Sequence, residues 1–114
     1  MIAVIFEVIP KPGHKDDYFE RAARLKSTLE TMDGCVSVER FESVTQSGKF
    51  LSLSFWRDED AVKVWRNQMH HRVTQCAGRE HIFSDYRLRV ASVIRDYGMF
   101  ERDEAPDDSR AHHG

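Results

Sequence analysis

Residues 49–72, KFLSLSFWRDEDAVKVWRNQMHHR, decide how this chain folds. Leu51, Leu53 and Phe55 alternate with Ser52 and Ser54, the period-two pattern of a strand with two unlike faces. The acidic run Asp58-Glu59-Asp60 follows, suited to the first turn of a helix because carboxylates are favoured at the positive end of its dipole. Ala61, Val62, Trp65, Met69 and Val73 then recur at helical spacing. The segment is therefore a strand running into a helix, and the helix carries Trp65, Asn67, Gln68, His70 and His71 in its later turns. Asn67 marks a place where it can bend.

Working outward, residues 35–45 mix β-branched and polar side chains, and Gln46-Ser47-Gly48-Lys49 supplies turn chemistry, so the two strands form an antiparallel hairpin. Upstream, Ile2 to Ile9 is almost wholly apolar, as a central strand is, and Pro10-Lys11-Pro12-Gly13 ends it because proline cannot donate to a ladder. Between His14 and Met32, Tyr18, Ala22, Leu25, Leu29 and Met32 define one stripe of an amphipathic helix, stopped by Asp33-Gly34. Downstream, the helical region ends near Gly78. From Asp85 a fourth strand places Tyr86, Leu88, Val90, Ser92 and Ile94 on one face and Arg87, Arg89, Ala91, Val93 and Arg95 on the other.

The order β, α, β, β, α, β predicts an α+β fold: a ferredoxin-like, split βαβ antiparallel sheet with both helices on one face. The opposite face would be bare, and a large exposed apolar surface is rare on a soluble monomer. Two sheets packed face to face would cover it, so a homodimer built as a dimeric α+β barrel is expected. Residues 1–99 make the domain; 100–114, polar and charged, read as a flexible tail.

At 114 residues the chain has room for one core and no second domain. Its 17 basic and 19 acidic residues, without like-charge runs in the body, argue against nucleic-acid or anionic-membrane partners. Cys35 and Cys76 lack metal or redox spacing, and both read as buried thiols. No basic region precedes the short apolar stretch at the N-terminus. A cytoplasmic protein with no membrane span is expected.

The pieces GKFLSLSFW, the acidic turn, AVKVWRNQMHHR and FSDYRLRVASVIRDYG resemble the antibiotic biosynthesis monooxygenase (ABM) domain of the dimeric α+β barrel superfamily, across residues 2–98. The resemblance implies a mainly apolar pocket between sheet and helices. There a small aromatic, quinol-like or polyketide-like substrate would be deprotonated and would react directly with dioxygen, with no cofactor. The alternatives are a haem-binding or haem-degrading monooxygenase and a non-catalytic ligand-binding dimer of the same fold. In the haem-degrading branch the Trp of the second helix matches Trp65 here. The polar Asn of the first strand falls at Phe6, and the iron-ligating histidine falls near Gln75, whereas this chain carries His70 and His71.

His71 is the expected base, since imidazole moves protons at neutral pH. His70, its neighbour, points roughly 100° away on a helix. Trp65, with an indole N–H, and Asn67 complete the expected catalytic group; Phe6, Gln68, Met69 and Glu7 are expected to line the pocket. Trp65 is equally suited to the core, and Asn67 and Gln68 to turning the chain. Glu7 has two readings: a buried carboxyl with a raised pKa, or an ion pair with an arginine of the fourth strand. No metal site is expected.

Overall fold

The computed structural model of the chain describes residues 1–75 and 82–113, with the side chains of 69–75, 112 and 113 outside the description. Its elements are β1 (Ile2–Pro10), α1 (Lys15–Glu30), β2 (Cys35–Glu42), β3 (Phe50–Trp56), α2 (Glu59–Gln75), β4 (Phe83–Ser92) and a short α3 (Asp107–His113). The strands form one antiparallel sheet ordered β2-β3-β1-β4. β1 and β3 are central, consistent with the unbroken apolar run of β1, and α1 and α2 lie on one side. This is the expected ferredoxin-like α+β fold.

Register fixes which side chains share a face, because directly opposed residues in an antiparallel pair point the same way. Val4 opposes Ser54 and Val90, Phe6 opposes Ser52 and Leu88, and Val8 opposes Phe50 and Tyr86. Those residues face the helices. Ala3, Ile5 and Glu7 oppose Phe55, Leu53 and Leu51 on β3 and Ala91, Arg89 and Arg87 on β4, and they form the other face.

Two apolar clusters fill the space under the helices. At one end Val4, Leu29, Trp56, Ala61 and Val62 are buried, with Leu25, Met32 and Trp65 packed against them. At the other, Val8, Tyr18, Phe50 and Ile82 are buried, with Phe6, Phe19, Ala22 and Phe83 around them. Trp56 is fully buried, and its indole Nε1 donates to Ser54 Oγ at 2.9 Å. The serine that interrupts the apolar alternation of β3 thus satisfies a donor that burial would otherwise leave unpaired.

The junction between α1 and β2 meets the start of α2 at close range. Gly34 has φ +86°, and a Cβ built there would lie 2.6 Å from the Cβ of Ala61. Glycine is required on both counts, conformational and steric. Arg57 holds the same corner: its backbone N–H donates to Gly34 O at 2.8 Å and its guanidinium reaches both oxygens of Asp33 and one of Asp58. Asp58 caps α2, accepting from Ala61 N at 2.9 Å. The helix then runs from Glu59 to Gln75 with no interruption at Asn67. Its expected end near Gly78 lies outside the described residues, as does Cys76; Cys35 is half-buried and free.

Beyond β4 the polar segment is built rather than formless. Gly98 N donates to Glu101 O at 2.7 Å, Asp96 N to Glu104 Oε2 at 2.7 Å, and Arg95 Nη1 to Glu104 O at 3.3 Å. Arg110 donates to the carbonyls of Ala105, Arg102 and Asp103, drawing α3 back onto the preceding turn. No helix among the described residues is long and apolar enough to cross a membrane.

Candidate functional site

The two helices do not cover the sheet evenly. α1 lies against β2 and α2 against β3, so the helix side of β4 is left open among the described residues. Tyr86 is 61% exposed, Leu88 43% and Val90 47%, although all three point to the same side as the buried Val4 and Val8. They continue an aromatic wall. The Phe6 ring lies 5.7 Å from Tyr86 and 6.2 Å from Phe83, and Phe83 and Tyr86 lie 6.4 Å apart. Edge-on and tilted contacts of this kind leave ring faces available to a flat ligand.

Trp65 stands on the inner side of α2, its ring 5.8 Å from that of Trp56. The two indoles differ in one respect. Trp56 Nε1 has Ser54 as acceptor, whereas Trp65 Nε1 is buried with no partner among the described residues. Trp65 packs against the cluster that contains Val4, and Val4 directly opposes Val90 on the helix side of the sheet.

α2 starts at the Trp56 end of the sheet and its chain returns at Ile82 and Phe83, against Val8 and Pro10. At 1.5 Å per residue its 17 residues span about 25 Å, the length of the sheet. Positions 70 and 71 therefore fall in the half of the helix that heads toward Phe6, Phe83 and Tyr86. The side chains of Met69, His70 and His71 lie outside the described residues. Asn67 and Gln68 are both solvent-exposed.

Glu7 is not with the others. The pleat that turns Phe6 toward the helices turns Glu7 to the opposite face, so it cannot line a pocket beneath them. It forms ion pairs instead, at 3.4 Å with Lys49 Nζ and 3.5 Å with Arg89 Nη1. The salt-bridged reading of this carboxylate is the one the register allows. Phe6 and Trp65 do face the helix side. Tyr86, Leu88, Val90 and Phe83 were not among the expected site residues, although the alternation of strand four already put the first three together; what the sequence could not show was that those three are exposed on the helix side.

Titration behaviour is perturbed away from this wall. Burial pushes the Tyr18 hydroxyl up, with the Arg40 guanidinium opposing, and burial followed by the nearby Glu30 carboxylate raises the Cys35 thiol. The Ala61 N–H and then Arg57 hold the Asp58 carboxyl below its ordinary range. Cys35 and Asp58 lie away from the wall, and Tyr18 meets it at Phe83, with the two rings 6.1 Å apart. Among the described residues no group of histidines, cysteines and carboxylates could hold a metal ion. Haem would find a flat aromatic surface here, but Phe6 puts a ring packed on Phe83 and Tyr86 where the haem-degrading relatives carry a polar partner, and the exposed Tyr86 phenol is the one described wall side chain of a type that ligates iron.

Sheet topology and helix placement define a ferredoxin-like α+β domain. The model of the antibiotic biosynthesis monooxygenase family matches residues 1–76, and the chain belongs to that family. It is 42% identical over 93 residues to the jasmonate monooxygenase ABM of Pyricularia oryzae, covering 82% of this chain and 43% of that protein. It is 31% identical over 93 residues to the protein YqjZ of Bacillus subtilis, covering 82% of this chain and 79% of that one. The chain thus spans less than half the length of the first of these relatives. Among solved structures, Rv0793 from Mycobacterium tuberculosis superposes with a TM-score of 0.73 at 18% identity, over 85% of this chain and 98% of that one. The haem-degrader MhuD of the same organism, with two haems bound, gives 0.63 at 17% identity, over 86% and 100%. At such identities these structures speak for the fold alone.

Proposed function

We propose that this protein is a cofactor-independent monooxygenase acting on a small aromatic or quinol-like substrate, held between the sheet and α2. The observations that carry this reading are a Trp65 indole N–H that is buried without a partner among the described residues, and a wall of Phe6, Phe83, Tyr86, Leu88 and Val90 on the same, helix side of the sheet. An apolar surface with one unsatisfied donor suits a flat ring bearing an oxygen. Family membership supports the reaction class, and the name of the Pyricularia relative supports a monooxygenase reaction on a small molecule.

In this proposal the ring lies on the aromatic wall and its oxygen accepts from Trp65 Nε1. His71, whose position heads toward the same end of the sheet, takes the substrate's phenolic proton as general base. An electron pair of the resulting anion forms a bond from ring carbon to one oxygen of dioxygen, giving a hydroperoxide once the distal oxygen is protonated. The proton on that carbon then leaves, the C–H electron pair forms the new C=O as the O–O bond breaks, and the distal oxygen leaves as water, so a phenol plus O2 gives a quinone plus H2O with all four electrons supplied by the substrate. The wall's contribution is to orient the ring and exclude bulk water. Asn67 and Gln68, exposed on α2, belong at the entrance rather than at the reacting atoms. The functional unit is proposed to be a homodimer, with the bare sheet faces opposed.

Oxygen uptake measured with a panel of hydroquinones and jasmonate, with no added flavin, haem or metal, tests the reaction. Turnover that falls at least about a hundredfold in His71→Ala is expected of a general base. Unchanged turnover in that variant would remove His71 from the mechanism. Haemin titration tests the alternative: a sharp Soret band lost on replacing His70 or His71 would favour haem chemistry instead.

A further inference from the structure

The arginines of the sheet are placed differently. Arg87 and Arg89 lie on the bare face, whereas Arg40 of β2 opposes Ser52, which opposes Phe6, which opposes Leu88, a single row across the helix side. Arg40 is half-buried there. Its guanidinium lies over the Phe19 ring at 5.9 Å, and the Tyr18 hydroxyl feels its charge. Stacking of this kind uses the face of the guanidinium and leaves its in-plane N–H groups for other partners. One of them has found none: Nη1 is buried without a hydrogen-bond partner among the described residues.

A guanidinium cannot escape burial by losing its proton, so an enclosed N–H without an acceptor is a standing cost to the fold. The carboxylates of the neighbouring elements do not relieve it. Glu20 pairs with Arg24, Asp17 with His14 at 3.4 Å, and Glu42 accepts from Gly48 N at 3.4 Å. Lys15, exposed at the start of α1, adds a second cation to the same place, its Nζ 5.5 Å from the Phe19 ring and 5.7 Å from that of Phe50. In the row from Arg40 to Leu88 only the small Ser52 stands between the cation and Phe6. Neighbouring strands are about 4.8 Å apart, so a ring on Phe6 needs an arm of roughly three carbons to bring an anionic group to Arg40.

We propose that Arg40 binds a carboxylate of the substrate, and that the substrate is therefore an aromatic or quinol-like ring carrying a short acidic arm. The carboxylate lies in the plane of the guanidinium and accepts from Nη1, while the ring rests on Phe6 and the wall beyond it. Charge favours carboxylate over phosphate: one enclosed guanidinium balances a single negative charge, whereas a phosphate monoester brings close to two at neutral pH. Lys15, at the rim, draws the acid in without entering the site. The inference rests on the reading of the site given above and adds the group that orients the ring along the row.

Calorimetric binding of phenylpropanoate and of its uncharged amide tests the assignment without turnover, since neither carries a phenolic hydroxyl. The unaltered protein is expected to bind the acid at least about tenfold more tightly than the amide. Arg40→Gln should bring that ratio toward one, and Arg40→Lys, which keeps the charge but not the fork, should leave it in between. Should Arg40→Gln fail to fold, the ratio in Arg40→Lys decides. No binding of the acid, a ratio near one in the unaltered protein, or a ratio that both variants leave unchanged overturns the role of Arg40. Equal weakening of acid and amide marks a structural arginine and overturns it too. Phenyl phosphate that binds more tightly than phenylpropanoate through Arg40 overturns the choice of carboxylate. Oxygen uptake with dihydroxyphenylpropanoate and its amide separates the anion site from the reaction. An Arg40-dependent preference in binding without uptake keeps the site and removes the monooxygenase, and uptake equal for acid and amide does the reverse.

Discussion

The two faces of the sheet are built from the same strands and have opposite fates. On the helix side Trp56, Val4 and Val8 are fully buried, and the one buried serine exists to pair with an indole. On the other side Ile5, Leu51, Leu53 and Phe55 are only half-buried, and Glu7, Lys49 and Arg89 form an ion pair network among them. One face holds the monomer together; the other is apolar and has no second layer among the described residues. The difference teaches that apolar content alone does not tell a core from a contact surface. What distinguishes them is whether a second layer is supplied by the same chain.

The sharpest way to break this comparison is to cut into each face. Trp56→Ala should cost about 4 kcal/mol in denaturant unfolding, because it empties a fully buried site and orphans Ser54. Leu53→Ala, on the bare face, should cost about 1 kcal/mol under monomeric conditions. Equal losses would mean that the bare face is part of the folding core.

Next in size is the corner where α1, β2 and α2 meet. Gly34→Ala should destabilise by about 3 kcal/mol, combining a left-handed backbone with a methyl 2.6 Å from Ala61 Cβ. Thermal unfolding measures it, and a loss no greater than that of a Gly48→Ala control, where φ is also positive but a Cβ meets nothing within 4 Å, would show that the close approach relaxes freely.

A smaller effect should have the opposite sign. Trp65→Phe keeps an apolar ring but removes a buried donor without an acceptor, so the ligand-free protein should gain about 1 kcal/mol while oxygen uptake falls. A loss of stability with unchanged uptake would make Trp65 a core residue like Trp56.

The smallest prediction concerns the cap of α2. Asp58 has a depressed pKa, held first by the Ala61 N–H and then by Arg57. A depressed folded-state value makes its contribution present above the unfolded pKa and lost as pH falls through the folded one. The stability difference between the unaltered protein and Asp58→Asn should therefore be steady near neutrality. It should shrink below the ordinary carboxyl value of 3.8. Chemical denaturation at a series of pH values would show it; a difference unchanged into strong acid would rule out the charge.

The alternation of residues 50–56, the helical recurrence from Ala61 and the glycine and proline stops were enough to place the strands and helices, because each element's period is local. The same locality put Tyr86, Leu88 and Val90 together, and it paired Glu7 with a fourth-strand arginine as one of two readings, while the other placed Glu7 in one pocket with Phe6, against the pleat that sets them on opposite faces. It could not choose between those readings, since burial of Glu7 depends on Lys49 and Arg89 arriving from other strands.

By itself, then, the sequence determined the order of elements, the ferredoxin-like sheet and the side chains that share each face. Those follow from backbone periodicity and turn chemistry, which act over a few residues. Only the tertiary structure decided that, among the described residues, β4 is exposed on its helix side, that Trp56 finds an acceptor there while Trp65 finds none, and that residues 95–110 form an internally bonded segment. These depend on how far one element reaches over another, a property of packing between segments distant in the chain.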